Sequence, residues 1–144
     1  MFTLEHVHPM IVHFPIALIL VGFVAELVYL FFRKEPFLQA AGLWLFCAGA
    51  VSAAFAYASG LFLTSEVYGA AGVVQSSHEL YAELTVISAL VGAAFKIYLK
   101  AEGKETGLLK WIAFAIYTAT AFLVSITGYY GGVLVYGYLI KTVS

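Results

Sequence analysis

Charge is what this chain has least of. Only 10% of its 144 residues are Asp, Glu, Lys or Arg, 63% are hydrophobic, and the mean hydropathy is +0.98. Water-soluble domains carry about a quarter charged residues, so the composition excludes one and points to an integral membrane protein. Seven basic residues against eight acidic ones leave a formal charge of −1, which gives nucleic acid no electrostatic hold. Cysteine is nearly absent. The lone Cys47 excludes an intrachain disulfide, and there is no Cys-x-x-Cys-His haem-attachment motif. No basic stretch precedes the first apolar run; Glu5 stands there, and Arg33-Lys34 follow the run. That is not the pattern of a cleaved signal peptide, and the first run is expected to persist as a helix. With no internal repeat and no low-complexity linker, residues 1–144 read as a single transmembrane domain.

What the chain does have is long apolar runs. A spanning helix needs about 20 mostly apolar residues. The runs predict an all-α integral membrane protein, an antiparallel four-helix transmembrane bundle with helices over about 9–32, 38–63, 78–99 and 108–138. Arg33-Lys34-Glu35-Pro36 separates the first two, with Pro36 helping to stop the first helix. The second is rich in small residues, Gly42, Gly49, Ala50, Ala53, Ala56 and Gly60 among them. Small residues let helix backbones or a flat cofactor come close, and helix packing is the expected use here. Residues 64–77 read as a polar loop, with Ser76 or Ser77 capping the third helix. Residues 100–105 form a charged turn around Gly103. Gly128, Gly131 and Gly132 are expected to interrupt the fourth helix near its end.

Orientation follows from basic residues, which concentrate on the cytoplasmic side of membrane proteins. Arg33, Lys34, Lys96, Lys100, Lys104 and Lys110 flank the first and third connections, and only Lys141 lies on the other side. Both termini are therefore expected outside the cytoplasm, in a bacterial inner membrane. All four histidines then fall in one outer layer: His6, His8 and His13 at the start of the first helix, and His78 at the start of the third.

An ionisable side chain inside a membrane is costly and marks a functional site by default. His8 and His13 stand in the stretch His8-Pro9-Met10-Ile11-Val12-His13-Phe14-Pro15. Pro9 is tolerated in a first helical turn, whereas Pro15 frees a carbonyl and should bend the helix. Five residues separate the two histidines, about 140° on an ideal helix, so they share a face only if the helix distorts there. His78 is joined by Glu79 and Glu83, one turn apart. Three readings compete. Two histidines from opposing helices ligate a b-type haem. Alternatively, His8, His13 and His78 with Glu79 or Glu83 hold zinc, copper or non-haem iron. In the third, the histidines only hydrogen-bond at the interface, in a purely structural subunit. His6 reads as a solvated interface residue. For the haem, the expected ligands are His13 and His78, with His8 near a propionate and with Gly131 and Gly132 bringing backbone close to the ring or to the first helix. Glu26 lies about 20 Å from His13 along the helix. It is expected either to serve a proton path or to bond a hydroxyl on another helix. Tyr129, Tyr130, Tyr136 and Tyr138 read as an interfacial aromatic belt.

The motif from His8 to Leu18 closely resembles the signature of a bacterial membrane family catalogued as domain of unknown function 2231. That family also has a histidine opening the third helix, matched by His78. It has a closing Gly-x-x-Gly-Gly-x-Leu-Val-Tyr segment, matched by Gly128, Gly131, Gly132, Leu134, Val135 and Tyr136. Relatives often carry a further histidine just after that tyrosine; Tyr138 stands at about that place here, so any ligand role there is absent or altered. Some relatives are fused to Rieske iron–sulfur or cytochrome c domains. The resemblance therefore implies electron transfer at the outer face, by a cytochrome-like subunit of an oxidoreductase. Its partners would be membrane lipid and a Rieske, cytochrome c or quinone redox partner; a homodimer stays open.

Overall fold

The computed structural model describes residues 7–32 and 35–139. The described chain is all-α. Helix α1 (Val7–Ile11) leads through a turn at Val12 into α2 (His13–Phe31), followed by α3 (Pro36–Leu63), α4 (Ala70–Ala101) and α5 (Gly107–Leu134). A π-helical turn, Val135–Leu139, ends the description. Four segments are long and apolar enough to cross a membrane: Val7–Phe31, Pro36–Leu63, Ala70–Ala101 and Gly107–Tyr138. Glu5, His6, Arg33, Lys34 and Lys141 lie outside the described residues.

The break at Val12 has a local cause. Pro15 has no N–H to give the carbonyl of Ile11, and its ring crowds that carbonyl. Pro36 does more than stop the preceding helix, since it occupies the first turn of α3, where a missing N–H costs nothing. The third helix starts eight residues before the expected position. Gly69 turns the chain at φ 69°, and Ala70 follows as helix. Gln75 fastens the turn by accepting from the Val67 N–H at 2.8 Å. Ser76 and Ser77 do not cap; both hydroxyls donate to the Val73 carbonyl inside the helix, at 3.0 Å each. The closing glycines do not interrupt α5 either, which runs on to Leu134.

α2 packs on α3, α3 on α4, α4 on α5, and α5 back on α2. In lipid, apolar burial does not drive helices together, so close packing and polar bonds must. Glycines supply the packing. A Cβ on Gly49 would stand 2.6 Å from Ile19 Cγ1, and one on Gly92 would stand 2.8 Å from Ile116 and 2.9 Å from Phe46. The centre is dry: Ile19, Phe46, Ala50, Ala89, Tyr117 and Val124 are buried together. The Phe46 and Tyr117 rings stack with centroids 3.8 Å apart. Large apolar side chains such as Phe31, Trp44, Phe55, Phe62 and Phe122 point outward, as suits a lipid-facing surface.

Candidate functional site

The dry centre separates two polar groupings, one at each end of the bundle. At one end, α1 and α4 each present a histidine. The His8 and His78 rings meet edge to face, with centroids 6.3 Å apart and planes at 83°.

Each ring is held by the helix behind it. His8 Nδ1 lies 3.1 Å from the Ala56 carbonyl and 2.8 Å from Ser59 Oγ. Ser59 gives its own proton to the Ala56 carbonyl at 2.7 Å. Both neighbours of Nδ1 can thus accept, so Nδ1 carries the proton. His78 Nδ1 donates likewise to the Thr127 carbonyl at 3.0 Å. With Nδ1 donating, the nitrogen left to accept or ligate is Nε2, and neither Nε2 has a hydrogen-bond partner among the described residues. Glycine lets the helices come this close. A Cβ on Gly60 would stand 3.1 Å from His8 Cε1, and one on Gly131 would stand 3.2 Å from His78 Cε1. Thr127 is itself tied to α4, its hydroxyl 3.1 Å from that of buried Thr85.

Several expectations need correction here. His13 does not join His78. The break at Val12 turns it to an exposed face, where its Nδ1 bonds the Pro9 carbonyl at 2.8 Å. His8 takes the place expected of His13. Gly131 approaches α4 rather than the first helix, and Gly132 would meet nothing if it gained a Cβ. It is Gly128 that faces α2, with a Cβ there 3.3 Å from Ile16. Glu79 and Glu83 are both exposed, and Glu79 accepts from Gln75 at 3.0 Å. Among the described residues no three His, Cys, Asp or Glu side chains converge as a metal site. The expected group of His8, His13 and His78 with Glu79 or Glu83 is scattered because the helix break sends His13 outward. Of the tyrosines, Tyr129 and Tyr136 are exposed and Tyr130 stacks on Tyr81 at 5.5 Å.

At the opposite end, Glu26 bonds neither serine nor threonine. Lys96 Nζ lies 2.7 Å from its Oε1, with both side chains buried. Lys96 was expected to flank the connection and count toward orientation; instead it points into the bundle. Its helical register carried the signal. Thr85, Ala89, Gly92, Ala93, Lys96 and Leu99 form the buried stripe of α4, the three- and four-residue spacing of an inward face. Ser59, Gly60 and Thr127 also escaped the sequence reading, since nothing local marks a residue that supports a histidine from another helix.

An all-α bundle with four apolar spans and an ionisable cluster at each end is an integral membrane protein. The family model for predicted membrane proteins of domain of unknown function 2231 matches residues 5–144, and the chain belongs to that family. No curated protein and no solved structure matches the chain.

Proposed function

We propose that this protein is a membrane electron-transfer component that holds a b-type haem between His8 and His78. The observation that carries the reading is the opposed pair itself, two imidazoles from different helices with Nδ1 bound and Nε2 open. Metal-ligating histidines characteristically donate the other ring N–H to a carbonyl or carboxylate, which fixes tautomer and orientation. The two rings, with centres 6.3 Å apart, are the ones that would each supply a donor nitrogen. Bound there, a haem would supply one-electron chemistry. The chain's part is to present two donors: Ala56 and Ser59 orient His8, Thr127 orients His78, and Gly60 and Gly131 leave room for both rings. A two-histidine donor set fits haem better than zinc, which takes four ligands. The same reading places the histidine end on the outer side of a bacterial inner membrane, within reach of a Rieske or cytochrome c type partner.

Absorption spectra of the purified protein, oxidised and reduced, test the proposal. His8→Ala and His78→Ala should each lose the haem bands, while His13→Ala keeps them. Wild-type protein that is folded yet stays colourless after haem addition would refute the reading. Retention of the bands in His8→Ala with loss in His13→Ala would move the ligand to His13.

A further inference from the structure

The Glu26–Lys96 pair is not closed on itself. Glu26 Oε1 takes Lys96, but Oε2 is buried with no hydrogen-bond partner among the described residues. Glu26 as a whole is 5% exposed. An unsatisfied buried acceptor costs about 1–3 kcal/mol, and more when charged. Beside the ion pair is a cavity of about 20 Å³ lined by Glu26 and Lys96, and also by Tyr29, Gln39, Glu105 and Lys110. One water needs about 10–15 Å³ and two or more polar partners, so this space is large and polar enough for one. Gln39, Glu105 and Lys110 stand at the start of α3, in the α4–α5 connection and in the first turn of α5. The cavity therefore adjoins the lysine-rich end of the bundle. On its other side lies the packed centre of Phe46, Tyr117, Ile19 and Ala89.

We propose that Glu26 is a proton-binding site served by water from the lysine-rich end only. A hydronium at the cavity gives up one O–H bond, the Glu26 carboxylate gains the proton, and a neutral water remains. The carboxyl becomes neutral while Lys96 keeps its charge and its contact to Oε1. The groups that face this exchange come from every packed element. Tyr29 is on α2; Gln39, the Gly42 carbonyl and Cys47 are on α3; Lys96 is on α4; Lys110 and Tyr117 are on α5; and Glu105 lies in the connection. Glu105 is held to Gln39 at 3.4 Å and Lys110 sits over the Tyr29 ring at 5.3 Å, so the mouth carries one acid and one base. The site is independent of the histidine pair, and haem-free protein should show it equally.

Infrared difference spectra of the full-length protein in lipid nanodiscs, recorded while the bath is acidified from neutral pH, provide the test. Wild type should gain the carbonyl stretch of a protonated carboxyl in apolar surroundings, shifted in heavy water. Glu26→Gln should lack that band. If that variant does not fold, Glu26→Gln/Lys96→Met replaces it as the reference, because it leaves no unpaired charge. Ala113→Leu, which puts bulk into the cavity wall, should slow growth of the band after a pH jump at least tenfold. Identical acid-induced spectra in wild type and reference would show a permanent ion pair and overturn the proposal. An unchanged rate in Ala113→Leu would overturn the water route.

Discussion

At the level of single residues, the two ends of the bundle call for opposite treatment. The histidines need close backbone and the ion pair needs its partner. Gly131 touches His78 from behind, and adding bulk there must move the ring. Gly131→Leu should lower the melting temperature, with a cost of about 1–3 kcal/mol from overpacking, and should reduce haem retention severalfold. Gly132→Ala enters open space and should stay within about 0.5 kcal/mol of wild type. Thermal unfolding in detergent, followed together with the absorption spectrum, distinguishes the two. At the other end, Lys96→Met alone leaves the Glu26 carboxylate buried without a counter-charge. Breaking a buried pair this way costs about 3–5 kcal/mol, whereas replacing both charges is often close to neutral. Glu26→Gln/Lys96→Met should therefore unfold at a higher temperature than Lys96→Met. The reverse order would mean that Glu26 is stabilised by something other than Lys96.

At the level of elements, the seam between α2 and α3 depends on glycine more than on any polar bond. A Cβ on Gly22 would overlap the Tyr117 hydroxyl and stand 2.8 Å from Leu45 Cβ. Gly22→Ala should cost about 1–3 kcal/mol, visible as a lower unfolding temperature, while Ala17→Gly on the exposed face of α2 should cost only its helix propensity, about 1 kcal/mol. The spans themselves were legible because each is a run of apolar residues long enough to cross a bilayer. The start of α4 was not. Ser65, Glu66, Gln75, Ser76 and Ser77 look like a loop by polarity. Yet the serines at 76 and 77 satisfy themselves on their own helix, and Gln75 reaches back to the turn. That His8, His13 and His78 share one end of the bundle was legible from topology alone. Which of His8 and His13 faces inward was not, because the answer depends on the size of a proline-induced break. Lys96 was legible in principle from the stripe on α4, but its nearness to Lys100 suggested a membrane edge.

For the molecule as a whole, both sites draw their meaning from which way it faces. With Lys96 buried, five basic residues flank the first and third connections, Arg33, Lys34, Lys100, Lys104 and Lys110, against Lys141 on the other side. Lys104 is a secure member of that set. The Tyr98 hydroxyl 3.3 Å away, and then the Glu102 carboxylate, hold its ammonium above the usual lysine range, so it remains charged at any physiological pH. Basic residues in short connections are held on the cytoplasmic side. The α4–α5 connection should therefore lie in the cytoplasm, with the 64–69 connection outside. Placing single cysteines in a Cys47→Ser background reads this directly. Glu66 and Glu102 are both exposed, and neither touches the buried sites. Glu66→Cys should react with an impermeant maleimide added to intact cells, and Glu102→Cys should react only after the cells are opened. The opposite pattern would put the histidine pair on the cytoplasmic side and expose the Glu26 cavity to the outside. A haem at His8 and His78 would then exchange electrons with cytoplasmic partners, and Glu26 would take its proton from the outer phase.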